Sequence, residues 1–545
     1  MGSRLALASA VWVASLAASS AAVAQPGRTP IDTTWRTGAV CYEIFVRSFF
    51  DSDGDGIGDF AGLTRKLDYV NDGNPRSRTS LGARCIWLMP VAASPSYHGY
   101  DVKNYYRVNP EYGSNADFKR LVAEAHRRGI RVLVDLVLNH ASSEHPYFKE
   151  ALRDPASPRR SWFRFSQSPP AERGPWGQVL WHKSPVRDEY YYGIFTAEMP
   201  DLNYATPAVR DEAERVGRFW LTEMGVDGFR LDAVPYLVEE GGALAHTAGT
   251  HATLRSFAAS MRRAAPGAFT IGEVWDSTGT VLRYYPDQLD AYFAFELSDA
   301  LLDAVRTSTP QRLMAAYARM QRAMPATRWS PFQRNHDQTR TVTALGGDLR
   351  AARLSAELLL TLPGLPFIYY GEEIGMTGDK PDPRLRTPMH WTPGRAAGFT
   401  TGSAWEPLQP DSATANVAVQ DADPGSLLNL YRRLIHLRAS NRVLSAGDFV
   451  PLESSDPAVA AFLRRDGPRA VLVVANLATT SRARVTVSSA DGVLRAGRYT
   501  TRDLLRGGAA APVVVAPDGR LREFAARASL DARTTHVIEL TRAAP

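Results

Sequence analysis

The sequence contains very little cysteine: Cys41 and Cys85 are the only two in 545 residues. This number excludes a small fold that is held together by several disulfides. Each cysteine lies near the start of an apolar, strand-like run. A disulfide between them requires these two strands to be neighbours, and the alternative is that both are small buried side chains. The residues leave both alternatives open.

An uninterrupted apolar run long enough to span a bilayer is also lacking. Residues 358–370 are apolar but are interrupted by two prolines and a glycine. Residues 5–16 are too short to cross a membrane, follow a single arginine, and lead to small residues that end at Ala24. This pattern predicts a cleaved signal peptide over residues 1–24, no membrane anchor, and a secreted or periplasmic protein.

The charge pattern gives no indication of nucleic-acid binding. There are 63 Lys and Arg against 57 Asp and Glu, a net charge of +6. The basic residues stand singly or in pairs, such as Arg127 with Arg128, and no nucleic-acid-binding motif accompanies them. The length and the 44% hydrophobic content instead predict a globular enzyme with a large core and about three domains. We expect a monomer.

Helix-like and strand-like segments alternate along much of the chain. A capping box at residues 114–117 opens a helix that ends at Gly129, and the apolar residues 130–135 follow. The same order recurs further along. Helices that alternate with short apolar strands predict an α/β fold with a covered parallel sheet, here a (β/α)₈ TIM barrel. Its expected extent is residues 35–140 and 205–440.

Two segments depart from this alternation. Residues 141–204 are rich in Trp, Tyr, Pro and Ser and are too long for an ordinary loop, which predicts a small domain B inserted after the third strand. Residues 441–545 contain alternating or β-branched runs divided by Gly, Asp and Pro. They predict a C-terminal antiparallel β-sandwich domain.

Four short motifs place carboxylates at the ends of apolar, strand-like runs. They are DLVLNH at residues 135–140, GFRLD at 228–232, IGEVWD at 271–276 and RNHD at 334–337. Active-site residues of such barrels lie at the carboxyl ends of the strands, so we expect these side chains to meet. A nucleophile, an acid and a stabilising carboxylate suit the hydrolysis of a glycosidic bond. The motifs therefore predict a glycosidase.

These motifs resemble the signature regions of the α-amylase family, glycoside hydrolase family 13. GARCIWLMP at residue 82, HGYDVKNYY at 98, MPDLNY at 199 and GLPFIYYGEE at 364 resemble further regions of that family. The resemblance implies that Asp232 is the nucleophile, Glu273 the general acid, and Asp337 the carboxylate that binds hydroxyls of the distorted sugar. The implied reaction retains the configuration at the anomeric carbon.

Elementary electrostatics supports this division between the carboxylates. Arg230 precedes Asp232 by two residues on a strand, so both side chains point to the same side and the cation favours an ionised nucleophile. Glu273 must instead stay protonated, through burial near Val274 and Trp275 or through nearby negative charge. Retaining chemistry predicts that the carboxyls of Asp232 and Glu273 lie about 5 to 5.5 Å apart.

The resemblance also implies a set of substrate-binding residues. His140 and His336 would bind hydroxyls of the sugar that is cleaved, Tyr100 would stack on its apolar face, and Asp101 would contact it laterally. Arg230 belongs to the same set. Asn139 resembles a position that either ligates a structural calcium or braces its loop, and the sequence leaves both open.

A second group of carboxylates lies among glycines in DSDGDGIGD at residues 51–59. Their alternate spacing is like the start of an EF-hand loop, although the distal glutamate is lacking. The segment resembles a calcium or magnesium loop after the first strand of oligosaccharide-cleaving members of the family. This resemblance implies a structural Ca²⁺, for which a solvated acidic turn is the alternative. The implied ligands are the side chains of Asp51, Asp53, Asp55 and Asp59 and the carbonyl group of Ile57.

The motifs give conflicting indications about the substrate. MPDLNY and NDGNP at residue 71 resemble segments of secreted α-amylases of the group intermediate between oligo-1,6-glucosidases and neopullulanases. Alanine at position 233, directly after the nucleophile, resembles the residue found in enzymes that act on α-1,4 bonds. RTPMHW at residue 386 and AAGF at 396 resemble exo-acting α-glucosidases and trehalose synthases.

The predicted export favours a retaining, endo-acting α-1,4-glucan hydrolase for starch, maltodextrin or maltooligosaccharides. The alternatives are an exo-acting α-glucosidase and an isomerase of the trehalose synthase type. A non-catalytic partner of a transporter is disfavoured because all three carboxylates are present.

Overall fold

The computed structural model describes residues 31–543, and the signal peptide expected over residues 1–24 lies outside them. Eight parallel strands form the central sheet, and each one pairs with its neighbours in chain order. We name them β1 to β8: Cys41–Ile44, Cys85–Leu88, Arg131–Leu136, Gly228–Leu231, Phe269–Gly272, Ala291–Phe293, Trp329–Ser330 and Phe367–Tyr369.

The sheet closes into a barrel. Strand β1 pairs with β8 in parallel register. Between β7 and β8, the amide of Leu365 donates to the carbonyl of Trp329 at 3.1 Å, and the amide of Phe367 donates to that of Pro331 at 3.0 Å. These bonds join the two remaining edges. The predicted (β/α)₈ fold is confirmed.

The strands are short and almost continuously apolar because both of their faces are buried. Side chains at alternate positions point inward, and inside the barrel they form one cluster that includes Trp87 and Phe269. Cys41 lies opposite Cys85 in the register of β1 and β2, and the two form a disulfide. The strands are therefore neighbours, which decides between the two alternatives that the sequence left open.

Amphipathic helices cover the outside of the barrel. In the helix Asn115–Arg127, the residues at helical spacing are buried, and the predicted capping box between Ser114 and Asp117 is present. Within residues 31–543, none of the helices has both the length and the apolar character needed to cross a membrane. The helices outside the inserted segment are Val46–Phe49, Phe60–Arg65, Leu67–Val70, Asn115–Arg127, Pro207–Thr222, Ala248–Ala264, Thr278–Val281, Phe295–Thr307, Gln311–Ala323, Thr341–Ala344, Leu349–Thr361, Asp382–Leu385, Val417–Asp421, Leu427–Ser440 and Arg442–Ala446.

The long connection between β3 and β4 has secondary structure of its own. It contains the helix Pro146–Arg153 and a three-stranded antiparallel sheet in the order Phe165–Ser166, Tyr190–Tyr192, Trp181–Lys183. A further antiparallel pair, Ala92–Ala93 with Asn104–Val108, follows β2. These segments extend the chain beyond the carboxyl ends of the barrel strands, where they can form walls around a site.

After the barrel, the chain forms an antiparallel sheet of six strands with its own buried apolar cluster. The order of the strands is Asp448–Pro451, Val459–Asp466, Arg469–Asn476, Thr534–Arg542, Gly497–Asp503, Val513–Val515. Two short antiparallel pairs accompany the sheet: Glu453–Ser454 with Val487–Ser488, and Arg482–Ala483 with Ser529–Leu530.

A buried arginine of the C-terminal sheet joins this domain to the barrel, and a second buried arginine supports the same segment from within the barrel. Arg464, from the sheet, donates to the carbonyls of Thr361 at 2.7 Å and Gly447 at 2.8 Å. Arg438, from the helix Leu427–Ser440, donates to three carbonyls between residues 360 and 364. Carbonyls at the end of a helix lack intrahelical partners, so the two guanidinium groups satisfy the end of the helix Leu349–Thr361.

Candidate active site

The carboxylate motifs meet at the carboxyl ends of the barrel strands. Arg230 is the third residue of β4, and Asp232 and Glu273 directly follow β4 and β5. Asp337 lies in the loop that follows β7. All three carboxylates, Asp232, Glu273 and Asp337, line a single cavity of about 490 Å³. The structure therefore brings the three residues together from separate parts of the chain.

Aromatic side chains form much of the remaining wall of the cavity. The indole of Trp176 is 60% exposed and stacks on Phe195, and that of Trp275 is 52% exposed and stacks on Phe295. Exposed aromatic faces suit the apolar faces of sugar rings. The other lining residues are Tyr97, His98, Tyr100, His140, Gln178, Phe195, Thr196, Met199, Ala233, Pro235, Tyr236, Asp382 and Arg386.

A single buried cation contacts three carboxylates beneath the cavity. Arg230 donates from Nη1 to Asp232 and to Asp135, at 2.6 and 2.8 Å, and from Nη2 to Glu273 at 2.6 Å. Burial disfavours the charge of Arg230, but the surrounding carboxylates, Asp135 first, raise its pKa well above the ordinary value. Arg230 is therefore a permanent cation that restrains the two carboxyls that follow β4 and β5.

Glu273 is tuned towards the protonated form. Burial raises its pKa to about 8, Arg230 opposes this rise, and the charges of Asp232 and Asp337 reinforce it. Trp275, which the sequence suggested as a source of burial, is instead half exposed and stacks on Phe295. The direction of the shift is the one that a general acid needs at neutral pH.

The pKa of Asp337 is shifted in the opposite direction, towards the ionised form. Arg386 donates from Nη2 to Asp337 Oδ1 at 2.8 Å, and His336 Nε2 lies 3.1 Å from Asp337 Oδ2. Burial works against the charged form, but His336, Arg386 and Arg230 outweigh it and lower the pKa of Asp337. The same cavity thus holds a carboxylic acid and a carboxylate at neutral pH.

The other predicted substrate-binding residues differ in their distance from the cavity. Tyr100 lines it, and its ring stacks on that of His336, which is fully buried. His140 also lines it, and its Nε2 atom has no hydrogen-bond partner among residues 31–543. Asp101 is not among the lining residues of the described chain, and its Oδ1 atom accepts hydrogen bonds from the hydroxyls of Ser94 and Ser96.

Asn139 lies directly beside the site. Its Nδ2 atom is 3.4 Å from His140 Nδ1, and its Oδ1 atom has no partner among residues 31–543. This environment suits a loop brace and a calcium ligand equally, so both alternatives for Asn139 stay open.

Sequence reasoning assigned no role to several residues that the structure places at the site. Glu43 in β1 and Asp135 in β3 are buried inside the barrel, and each is a single carboxylate within an apolar strand. That isolation is a signal that could have indicated them, because carboxylates are almost never fully buried without a partner. Trp176 lies in the irregular segment before β4, where neither periodicity nor spacing distinguishes it.

The glycine-rich loop after β1 forms a separate acidic site. Oxygen atoms of Asp51, Asp53 and Asp59 lie within 4.8 Å of one another. Asp51 accepts hydrogen bonds from the amides of Gly54 and Gly56, at 2.7 and 2.8 Å, and these neutral donors leave its charge in place. Three clustered carboxylate oxygens are the ligands that a hard divalent cation prefers.

Of the other predicted ligands, Asp55 lies outside this group of side chains, and the carbonyl group of Ile57 stays a prediction. Asp55 accepts a hydrogen bond from the amide of Ile57 at 2.8 Å, and burial together with the neighbouring carboxylates raises its pKa. Gly56 has a φ of +94°, and a Cβ there would lie 1.9 Å from the carbonyl oxygen of Ser403, so the loop requires glycine. The chain thus offers Asp51, Asp53 and Asp59 as a candidate metal site.

Known proteins are similar to this chain in both sequence and structure. The family model of the alpha amylase catalytic domain matches residues 43–447. Alpha-amylase 3 of Dictyoglomus thermophilum is 36% identical over 450 residues, which cover 81% of this chain and 85% of that protein. Trehalose synthase/amylase TreS of Mycolicibacterium smegmatis is 35% identical over 494 residues, which cover 80% and 81%.

The solved structure of alpha-amylase from H. orenii is 37% identical, with a TM-score of 0.80, and covers 92% of this chain and 99% of that one. These matches extend over the barrel and all four carboxylate motifs. With the converging carboxylates, they show that the chain belongs to the α-amylase family of glycoside hydrolases and transglycosylases, glycoside hydrolase family 13.

Proposed function

We propose that this protein is a retaining, endo-acting α-1,4-glucan hydrolase that acts on starch, maltodextrin or maltooligosaccharides. The observation that carries the proposal is the contact of Arg230 with both Asp232 and Glu273, each at 2.6 Å. One guanidinium group holds the two carboxyls side by side, as a double-displacement mechanism needs. We also propose that the three carboxylates have separate roles in the reaction.

In the first step, an oxygen of Asp232 forms a bond with the anomeric carbon while the glycosidic C–O bond breaks. Glu273 gives its proton to the departing oxygen, so the leaving chain is a neutral alcohol. In the second step, Glu273 accepts a proton from water, whose oxygen bonds to the anomeric carbon and releases Asp232. Asp337 binds hydroxyls of the distorted sugar, because its negative charge strengthens these hydrogen bonds as positive charge develops on the ring.

Endo cleavage requires room for sugar units on both sides of the carboxylates. The aromatic lining of the cavity, which includes Trp176, Tyr236 and Trp275, offers stacking surfaces for such units. The similarity to two proteins named as alpha-amylases supports the same choice. Residues 1–24 resemble a signal peptide, so we propose a secreted or periplasmic location. Starch and maltodextrin are suitable substrates for an enzyme at that location.

An exo-acting α-glucosidase is the second candidate, and one contact favours it. Arg386 reaches from Asp337 to Asp382, with Nη2 at 2.8 and 3.3 Å from the two carboxylates, and both Asp382 and Arg386 line the cavity. A fixed ion pair beside Asp337 would limit the number of sugar units that the cavity can hold on that side of the cleaved bond. The similarity to a trehalose synthase keeps isomerisation of maltose as a third candidate.

Analysis of early products distinguishes these functions. Soluble starch is incubated with the enzyme, and both the iodine colour and the chain lengths of the products are followed. Endo cleavage gives mixed oligosaccharides and a rapid loss of colour, whereas glucose alone from the first time point would contradict it. Maltose is assayed separately for conversion to trehalose. Nuclear magnetic resonance of the first products reports the anomer, and an initial β-anomer would contradict retention.

We further propose that Asp51, Asp53 and Asp59 hold a structural Ca²⁺. Their clustered oxygens support a hard cation, and the separate position of their loop supports a role in stability rather than in catalysis.

A further inference from the structure

Glu43 is a buried carboxyl group for which the reaction described above has no use. It is the third residue of β1, its side chain points into the barrel on the same side as Cys41, and it is 2% exposed. In the register of the barrel, Glu43 lies between Trp87 of β2 and Tyr369 of β8. A carboxyl group at such a position needs a specific partner.

That partner is His336, and a chain of short contacts continues beyond it. Glu43 Oε1 lies 2.6 Å from His336 Nδ1, and His336 Nε2 lies 2.7 Å from the hydroxyl of Tyr100 and 3.1 Å from Asp337 Oδ2. The Tyr100 hydroxyl lies 3.0 Å from Asp135 Oδ2. The contacts connect β1 to two residues that line the cavity.

The hydrogen atoms of this chain can be assigned by counting donors. Arg230 Nη1 donates to both oxygens of Asp135, at 2.8 and 3.0 Å, and the single hydrogen of Tyr100 points to Asp135 Oδ2. The oxygen of Tyr100 then accepts from His336 Nε2. Asp337, which Arg386 holds as a carboxylate, also only accepts. Both contacts of Nε2 therefore require a hydrogen on that nitrogen.

A neutral imidazole with its hydrogen on Nε2 has an acceptor at Nδ1, so the group that faces Nδ1 must donate. We propose that Glu43 is a carboxylic acid that donates to Nδ1 of His336 and fixes the tautomer in which the Nε2 hydrogen points towards Tyr100 and Asp337. Glu43 is then a positioning residue. Its effect on the sugar, through Tyr100 and Asp337, rests on the proposed function.

The charges around the chain agree with this assignment. The groups that face Glu43 from the other strands and loops are His336, Arg230, Asp337, Asp135 and Tyr369. Burial raises the pKa of Glu43 well above its ordinary value, Arg230 opposes the rise, and Asp337 and Asp135 reinforce it. Burial also lowers the pKa of His336 to about 3, which favours the neutral imidazole at neutral pH.

Nuclear magnetic resonance of the free enzyme tests the tautomer directly. The protein is labelled with ¹⁵N in histidine only, and the His336 signals are assigned as those that disappear in the variant His336→Gln. At pH 7 we expect a protonated Nε2 and an unprotonated Nδ1. A hydrogen on Nδ1, or on both nitrogens, would overturn the proposal. This measurement needs no variant of Glu43 that might fail to fold.

Two variants of Glu43 test its part in the chain. The amide of Glu43→Gln still offers an N–H to Nδ1, so we expect the Nε2 tautomer and a kcat close to that of the parent enzyme. Glu43→Leu removes the donor, and we expect a mixture of tautomers and a kcat about 10- to 100-fold lower, the loss found for hydrogen-bond partners of metal-bound histidines. An unchanged tautomer in Glu43→Leu would overturn the proposal.

Glu373→Gln is the matched control, because Glu373 is also a buried glutamate, here bonded to Tyr42 and Tyr69 at 2.7 and 2.6 Å. We expect its His336 signals to match those of the parent, and a shift of the hydrogen to Nδ1 would contradict the specific role of Glu43. The resonance readout is independent of turnover. A correct tautomer without glucan hydrolysis would contradict the proposed function alone, and hydrolysis with the other tautomer would contradict this inference alone.

Discussion

Arg230 and Glu273 are joined by a hydrogen bond of 2.6 Å from Nη2 to Oε2, in addition to the bond between Arg230 and Asp232. The proposed acid thus shares its cation with the proposed nucleophile. The cation favours ionisation of both carboxyls, so it is burial and the charges of Asp232 and Asp337 that keep Glu273 protonated.

The first prediction concerns the nucleophile. Asp232→Asn should lower kcat on maltooligosaccharides by at least about a thousandfold, because an amide does not form the glycosyl ester. Release of reducing ends measures the rate. The control is Asp303→Asn, whose carboxylate is paired with Arg306 on the surface and should leave kcat unchanged. Substantial turnover by Asp232→Asn would show that another group attacks the sugar.

The second prediction is the alkaline limb of the pH profile. The pKa of Glu273 is raised to about 8, so the proton that the leaving group needs is present below that pH and is lost as the pH rises through it. A plot of kcat/KM against pH should fall above about 8.

Glu273→Gln tests the same assignment. It should lower kcat/KM by about 10²- to 10⁴-fold on maltooligosaccharides and should remove this limb. It should cost much less with an aryl glycoside whose leaving group needs no proton. Equal losses on both substrates would argue against Glu273 as the acid.

The third prediction concerns the metal loop. Calcium at about 100 times its dissociation constant should stabilise the protein by about 2.7 kcal/mol, and a chelator should reverse this. Asp53→Ala should abolish the calcium-dependent rise in Tm, because it removes one of the three clustered carboxylates. Asp531→Ala, an exposed aspartate elsewhere, should keep the rise. The same Tm with calcium and with chelator in the parent protein would refute the site.

The fourth prediction concerns the joint between the barrel and the C-terminal domain. Arg464→Met should lower the free energy of unfolding by about 2 to 4 kcal/mol, because the carbonyls of Thr361 and Gly447 lose their buried partner. The exposed Arg469→Met on the same sheet should change it by less than about 0.5 kcal/mol. Urea denaturation measures both. Equal stability of the two variants would refute a structural role for Arg464.

Much of the barrel could be predicted because its information is local. Alternating helix and strand patterns are visible within 30 residues or so, and parallel strands with apolar faces have few other arrangements. The carboxylates after β4 and β5 could be predicted for the same reason, because the active site of such a barrel lies at the carboxyl ends of its strands.

Other features depend on contacts between distant parts of the chain. Glu43 and His336 are 293 residues apart, and no pattern near either residue indicates the other. The contact of Asp101 with the sugar stays a prediction, and its motif gives no indication of the bonds that its Oδ1 atom accepts from Ser94 and Ser96. Trp176 reaches the cavity only through the fold of an irregular segment. Pairing of the two cysteines required knowledge of which strands are adjacent.

The disulfide between Cys41 and Cys85 has a further consequence. Both sulfur-bearing side chains are 0% exposed, in the interior cluster that contains Trp87 and Phe269. A thiolate reductant must reach a sulfur atom in order to exchange with it. Reduction of the intact enzyme should therefore proceed no faster than the barrel opens, and raising the dithiothreitol concentration should bring the rate to a plateau that reports this opening.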